Sequence, residues 1–159
     1  MKNRRLRGLL IAALVVVLDQ FSKWLIVTKI MVSERVLHVT PFFDLVLNWN
    51  PGISFGLFNS APEIARYVFV GIAGVIIGVL LSWLWRVQRP LLVAAIGLVV
   101  GGAIGNVIDR LRFGAVTDFL YFHLGRYDFP AFNLADSSIT IGVGLILIDS
   151  LFAERGSRK

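Results

Sequence analysis

Two aspartates, Asp118 and Asp136, are the residues of this chain best suited to catalysis. They lie in the segments GAVTDF and FNLAD, flank a short polar loop, and each adjoins a long apolar stretch. A charge at the centre of a bilayer costs roughly 2.5 to 3.5 kcal/mol on insertion scales, so such carboxylates usually face a cavity or a partner. Two adjacent carboxylates that share one proton can act as base and acid in hydrolysis by water. The pair therefore predicts a functional site.

Other polar residues occur at helical spacings that place them on shared helix faces. Lys23 follows Asp19 by four residues, and Asn106, Asp109 and Arg110 follow the pattern i, i+3, i+4. At about 1.5 Å of rise per helical residue, these groups lie at one level, near the outer end of their apolar segments. Each also has a purely structural interpretation, as an i,i+4 ion pair or as a charge near a helix end.

Two asparagines have local structural interpretations as well. Asn133, three residues before Asp136, resembles a helix N-cap with an acidic residue in the first turn, and such capping is compatible with catalysis. Asn50 in the segment Asn-Pro-Gly predicts a turn in which Gly52 adopts a left-handed conformation. A functional role for the Asn50 side chain is a further hypothesis, and we assign no role to Asp149.

The composition indicates a membrane protein. Of the 159 residues, 57% are hydrophobic and only 16% are charged, which leaves too little polar surface to cover a soluble domain of this size. The net charge of +6 could indicate a nucleic-acid binder, but the Lys and Arg residues form short clusters between apolar runs. Such clusters are a topology signal, so we expect no nucleic-acid partner.

The residue inventory also narrows the chemistry. The chain has no cysteine and only two histidines, His38 and His123, without the spacings typical of metal ligands, so we expect no metal and no cofactor. A serine-type intramembrane protease is an alternative that would use Ser22 or Ser54 with one of the histidines. The chain lacks the Gly-x-Ser-x-Gly elbow that would favour it.

Four apolar segments are long enough to cross a hydrocarbon core of about 30 Å. They cover residues 6–28, 64–85, 91–112 and 132–152, which leaves outer loops at 29–63 and 113–131. We therefore predict an all-α membrane protein: a single integral membrane domain, 1–159, of four transmembrane helices with a small extracytoplasmic β-rich loop region.

The distribution of positive charge predicts the orientation of this domain. Nine Lys and Arg residues occur in the 20 residues of segments 1–8, 86–90 and 153–159. Only six occur in the 60 residues of segments 29–66 and 110–131. Because cytoplasmic loops carry the excess of Lys and Arg, both termini are predicted to be cytoplasmic.

The loops and the glycines give further expectations. Residues 36–52 are rich in β-branched and aromatic side chains, which predicts short strands at the membrane surface. The second loop holds an aromatic cluster, which is either an interfacial belt or a substrate lid. Its members are Tyr121, Phe122, Tyr127, Phe129 and Phe132. Glycines spaced at 71, 74 and 78 and at 97, 101 and 105 predict close helix packing.

Five segments, in order, resemble the signature blocks of bacterial lipoprotein signal peptidase, also called signal peptidase II. They are DQFSK at 19–23, NPGISF at 50–55, GGAIGNVIDR at 101–110, GAVTDF at 114–119 and FNLAD at 132–136. The resemblance extends from the first apolar segment to the start of the fourth. Its departures are minor, such as Ser54, where a small residue like Ala is frequent.

This resemblance implies an aspartic endopeptidase of the bacterial inner membrane that removes the signal peptide of prolipoproteins. Cleavage would fall just before a cysteine that carries a diacylglyceryl group. By motif, Asp118 and Asp136 would form the catalytic dyad. The residues that would line or orient the substrate site are Asn50, Gly52, Asn106, Arg110 and Asn133. The residues that would support the architecture are Asp19, Lys23 and Asp109.

The resemblance also implies the partners: diacylglyceryl-prolipoprotein substrates, membrane lipid and inhibitors of the globomycin type. We expect a monomer with its active site near the periplasmic face. Within the dyad, we hypothesise that Asp136, at the positive end of the fourth helix, is more often ionised and that Asp118 is protonated.

A non-enzymatic alternative is a small four-span transporter or channel subunit in which Asp19 and Lys23 mark an ion path. Such proteins usually place an acidic residue near the membrane midplane and have short loops on both sides. Here the polar residues lie at one rim, beneath a loop of about 35 residues. The sequence therefore favours the enzyme.

Overall fold

The computed structural model of the chain describes residues 2–52 and 62–157, with side chains over 3–52 and 63–152. The helices are α1 (Lys2–Leu25), α2 (Pro62–Leu84), α3 (Pro90–Phe113) and α4 (Leu134–Ser157), and a π-helical turn, Ile26–Ile30, continues α1. The strands are β1 (Val36–Thr40), β2 (Phe43–Asn50), β3 (Val116–Leu124) and β4 (Tyr127–Asp128). All four helices are long and apolar enough to cross a membrane. The predicted combination of four such helices with a small β-rich region is confirmed.

Helix α3 is the central helix of the bundle. In its apolar span 61% of the residues are buried, against 28% for α1, 22% for α4 and 6% for α2. A Cβ atom at Gly97 would lie 2.6 Å from the carbonyl oxygen of Gly8, and one at Gly101 would lie 2.7 Å from that of Ala12. The glycines therefore allow α1 to contact the α3 backbone directly, as small residues do between membrane helices. The packing predicted for the 97–105 glycines is confirmed.

The prediction that the glycines of α2 mark a close helix contact is wrong. Among the described residues, no atom lies within 4 Å of a Cβ built at Gly71, Gly74 or Gly78. Helix α2 packs against α3 at the edge of the bundle, and its glycines face away from the other described elements. Small residues permit a close approach but do not supply the partner helix.

The end of α3 directs the chain into the sheet. Helix α3 begins with Pro90 and ends at Phe113. The residue that caps it, Gly114, has a φ of 79° and donates its N–H to the carbonyl oxygen of Arg110 at 3.0 Å. A glycine in the left-handed conformation is a common helix terminator because it carries no Cβ. The chain leaves this cap and enters β3 two residues later, which brings Asp118 close to the end of α3.

The four strands form an antiparallel sheet in the order β1-β2-β3-β4. Strands β1 and β2 confirm the prediction for residues 36–52. Strand β3 corrects the sequence interpretation, which treated 113–131 as a loop. The segment is held by pairing on both sides, with β2 on one side and a bridge between Leu120 and Phe132 on the other. That pairing is a long-range property that local composition does not reveal.

Candidate active site

Asp118 is held by two side-chain amides. It is 1% exposed and lies on β3 opposite Asn48. The Nδ2 atom of Asn50 donates to its Oδ2 at 2.9 Å, and the Nδ2 atom of Asn133 donates to its Oδ1 at 2.7 Å. The backbone pairing of Phe132 with Leu120 is the reason that Asn133 lies beside this strand. Both carboxylate oxygens therefore have a neutral hydrogen-bond donor.

Asp136 forms a capping box with Asn133 at the start of α4. The backbone N–H of Asp136 donates to Oδ1 of Asn133 at 2.9 Å, and the backbone N–H of Asn133 donates to Oδ2 of Asp136 at 3.3 Å. This reciprocal pair satisfies two amide groups that a helix start leaves open. The predicted N-cap is confirmed, and one residue, Asn133, contacts both aspartates.

Asn106 on α3 completes the support of Asp136. Its Nδ2 donates to Oδ1 of Asp136 at 2.8 Å, while its Oδ1 accepts from Lys23 at 3.2 Å and from Asn133 at 3.3 Å. Because Lys23 can only donate, it fixes which end of the amide faces Asp136. One N–H of the Asn106 amide thus holds Asp136, and its oxygen is occupied by Lys23 and Asn133.

A second group of acids lies beneath the first and shares one cation. Lys23 Nζ is 2.9 Å from Oδ2 of Asp19 and 3.0 Å from Oδ2 of Asp109, and all three side chains are at most 5% exposed. The Nε2 atom of Gln20 adds hydrogen bonds to Asp109 at 2.9 Å and to Asp19 at 3.2 Å. This buried cluster consists of Asp19, Gln20, Lys23 and Asp109.

Each acid of the buried cluster holds the residue that precedes one dyad aspartate. Asp109 Oδ2 accepts the backbone N–H of Thr117 at 3.0 Å, and Asp19 Oδ1 accepts the backbone N–H of Ala135 at 3.0 Å. Thr117 precedes Asp118, and Ala135 precedes Asp136. Lys23 pairs with both supporting acids, so one ammonium group helps to hold the backbone before both dyad aspartates.

The remaining predicted residues lie at the mouth of the site. Gly52 has a φ of 78°, and its N–H donates to Oδ1 of Asn50 at 2.8 Å, which confirms the predicted turn. A Cβ at Gly52 would lie 3.1 Å from the Phe69 ring and 3.2 Å from a guanidinium nitrogen of Arg110. The Arg110 guanidinium lies over that ring, 5.4 Å from its centroid. Gly52 is therefore confined from two sides.

The structure brings all ten predicted site residues into one connected set of contacts. Sequence reasoning did not include two further members, Gln20 and Phe69. Gln20 interrupts an apolar run beside Asp19, and that polar interruption was the available signal. Phe69 is one of many aromatic residues in the chain, and the sequence does not distinguish it.

Burial is the main influence on the protonation of Asp118. The pKa of this carboxyl is raised from its ordinary value of 3.8 to about 6, mainly by burial and also by the negative charge of Asp136. The hydrogen bonds from Asn50 and Asn133 act in the opposite direction because they stabilise the ionised form. Protonated Asp118 is therefore accessible near neutral pH.

The serine-type alternative finds no support among the residues described. The Ser22 hydroxyl donates to the carbonyl oxygen of Asp19 at 2.8 Å. His38 and His123 lie on the sheet, where both contact Asp44, at 2.9 and 3.2 Å. Ser54 lies outside the described residues.

Comparison with known proteins identifies the family. A sequence model described as signal peptidase (SPase) II matches residues 11–152. The chain belongs to the signal peptidase II family. It is 51% identical over 140 residues to the lipoprotein signal peptidase of Azoarcus sp. (strain BH72), a match that covers 87% of this chain and 79% of that protein. It is 42% identical over 151 residues to that of Beijerinckia indica, which covers 94% and 90%.

Two solved structures support the same assignment. Both are titled as bacterial membrane enzymes determined by the in meso method, and both are 34% identical to this signal peptidase II chain. The first has a TM-score of 0.80 and covers 96% of this chain and 92% of its own. The second has a TM-score of 0.78, with 91% and 92% covered. The relatives are proteases and the solved structures are membrane enzymes, so the transporter alternative is not supported.

Proposed function

We propose that this lipoprotein signal peptidase is an aspartic endopeptidase in which Asp118 and Asp136 activate water. The contact of Asn133 with both aspartates carries this proposal. No Lys or Arg nitrogen of the described residues lies within 4.0 Å of either carboxylate, in contrast to the acids of the buried cluster. A carboxyl group that is not held in an ion pair is free to exchange a proton, which general acid and base catalysis requires.

The dyad supplies both proton transfers that hydrolysis needs. Asp136 lies in the first turn of α4 and accepts hydrogen bonds on both carboxylate oxygens, and we assign it the role of the base that deprotonates water. Asp118, whose pKa is raised to about 6, carries the proton and donates it to the departing amine. The burial of Asp118 thus supports the protonation order predicted from the sequence.

The substrate is proposed to be a prolipoprotein whose cysteine carries a diacylglyceryl group, with cleavage just before that cysteine. Arg110 lines a cleft of about 210 Å³ between α2, α3 and α4 that reaches Asn106. Its guanidinium can donate to carbonyl oxygens of an extended peptide at the mouth of this cleft. Asn50 and Gly52 would lie on the opposite side of that peptide.

The same proposal sets the orientation in the bacterial inner membrane. Arg5 near the N-terminus donates to the carbonyl oxygen of Trp85 at 3.0 Å, and Arg89 pairs with Asp149 at 2.6 Å. Basic residues therefore gather at the end of the bundle opposite the sheet. By the positive-inside rule this end is cytoplasmic, so the sheet and the dyad lie at the periplasmic face. The protein acts as a monomer, and globomycin-type peptides block it at the dyad.

The test is cleavage of a synthetic prolipoprotein peptide, with and without the diacylglyceryl group, by the purified enzyme in lipid. We expect cleavage of the lipidated peptide alone, with a product that begins at the modified cysteine by mass spectrometry. Ser22→Ala should retain activity, whereas Asp118→Asn and Asp136→Asn should lose it. Normal turnover by either aspartate variant would exclude the dyad.

A further inference from the structure

A second cleft adjoins the dyad on the other side of α4. This cleft, here called the hairpin groove, has a volume of about 450 Å³, within the range of ligand pockets. It lies between the segment 129–132 that follows β4 and the first two turns of α4. Its α4 wall consists of Asp136, Ser137, Thr140 and Ile141. Asp136 therefore lines this groove at the end nearest the dyad.

Helix geometry places Asp136 on the ridge between the two clefts. At about 100° per residue, Ile139 lies about 60° from Asp136 on one side, and Thr140 lies about 40° from it on the other. Ile139 lines the cleft of Arg110 and Asn106, and Thr140 lines the hairpin groove. A substrate bond positioned at Asp136 therefore has one cleft on each side.

The two clefts differ in chemistry. The first presents the side chains of Asn106 and Arg110 among apolar residues, which suits a peptide backbone. The hairpin groove presents aromatic and aliphatic surface, and the hydroxyl of Ser137 is turned to the helix carbonyl of Asn133 at 2.9 Å. Apart from the Asp136 end, its lining therefore suits a hydrocarbon.

We infer that the hairpin groove receives an acyl chain of the substrate's diacylglyceryl group while the signal peptide occupies the cleft of Arg110. This inference rests on the proposed function and extends it to the site that holds the lipid. The groove is continuous with the dyad, because Asp136 both lines the groove and belongs to the catalytic pair. The lipidated cysteine lies immediately after the scissile bond, so its chains must leave the dyad on the side away from the signal peptide.

The chain offers matched isoleucines for a test. Ile141 in the hairpin groove is 56% exposed, and Ile72 in the other cleft is 53% exposed. Leu147, further along α4, is 60% exposed and lines neither cleft. Substitution of each by Trp adds similar bulk at a similarly exposed site.

The experiment compares kcat/KM for two peptides, one with a dipalmitoylglyceryl cysteine and one with a dibutyrylglyceryl cysteine. We expect Ile141→Trp to lower the long-chain to short-chain ratio by about tenfold, the size of a moderate overpacking cost. Ile72→Trp should change both values together and keep the ratio, and Leu147→Trp should leave both values unchanged. Thr140→Phe, a second obstruction of the groove, should reproduce the change in ratio.

The outcomes separate the inference from the proposed function. An unchanged ratio in both Ile141→Trp and Thr140→Phe would mean that the chains stay in bulk lipid, and it overturns the inference while cleavage persists. A ratio lowered by Ile72→Trp alone would assign the chains to the other cleft and also overturns it. If the wild type cleaves neither peptide, the proposed function itself fails.

Discussion

The two pairs of acids near the sheet differ in their partners. Asp19 and Asp109 share the ammonium of Lys23, whereas Asp118 and Asp136 receive hydrogen bonds from Asn50, Asn106 and Asn133. A cation in direct contact favours the ionised state of a carboxylate more strongly than a neutral amide donor does. The partner group therefore separates carboxylates that hold the structure from those that can exchange protons.

The largest expected effect is the loss of turnover when either dyad aspartate is substituted. Asp118→Asn and Asp136→Asn should each lower kcat by about 10³-fold, since a positioned acid or base contributes 10² to 10⁴. Steady-state cleavage of the lipidated peptide measures this, with thermal unfolding in detergent as the control for folding. A variant that loses stability and keeps its kcat would place that aspartate with the structural acids.

Removal of the shared cation should be seen in the stability of the fold, in contrast to the loss of turnover expected for the dyad. Lys23→Met leaves Asp19 and Asp109 buried without a positive charge, and breaking a buried ion pair on one side costs about 3 to 5 kcal/mol. Chemical unfolding in detergent measures the loss, and Lys29→Met, at an exposed lysine beyond the end of α1, is the matched control. Equal stability of the two variants would contradict the distinction between the acid pairs.

The pH profile tests the protonated member of the dyad. Because the pKa of Asp118 is raised to about 6, kcat/KM should fall as the pH rises through this value and the acid loses its proton. Asn50→Ala removes a hydrogen bond that favours the ionised form, so the alkaline limb should move to higher pH by about one unit.

Asn48→Ala is the control for the pH experiment, since Asn48 is an exposed residue of the same strand. Its profile should match that of the wild type. An alkaline limb that moves to lower pH in Asn50→Ala would assign the titration to another group.

The smallest effect is expected at the opposite end of the bundle. Asp149 is buried, but its partner Arg89 is 49% exposed, so Arg89→Gln should cost about 1 kcal/mol or less. Turnover should not change. A loss comparable to that of Lys23→Met would show that the degree of burial does not separate the two ion pairs.

The sequence predicted the four helices from local signals, whereas the roles of the ten site residues were assigned by resemblance to the signature blocks of signal peptidase II. Apolar length defines a membrane helix, and carboxylates or amides in such a segment stand out by their cost. The i,i+4 spacing of Asp19 and Lys23 was sufficient to predict their ion pair. Asn133 and Asp136 similarly predicted the capping box that the structure contains.

The features that the sequence could not predict depend on pairing between segments that lie far apart in the chain. Strand β3 is defined by its partners β2 and Phe132, and these partners lie far from it in the chain. The hydrogen bonds of Asp19 to Ala135 and of Asp109 to Thr117 likewise join separate elements. For the same reason the spacing of Gly71, Gly74 and Gly78 suggested a helix contact that the described structure does not contain.

The absence of a side chain at Gly105 has a consequence for how this enzyme can vary. A Cβ there would lie 2.5 Å from Oδ2 of Asp19, the acid that holds the backbone just before Asp136. Even a methyl group would push that carboxylate away from α4 and from Lys23. Mutational tolerance should therefore be very low at a position that supplies no functional group, whereas the exposed residues of α2 should vary freely.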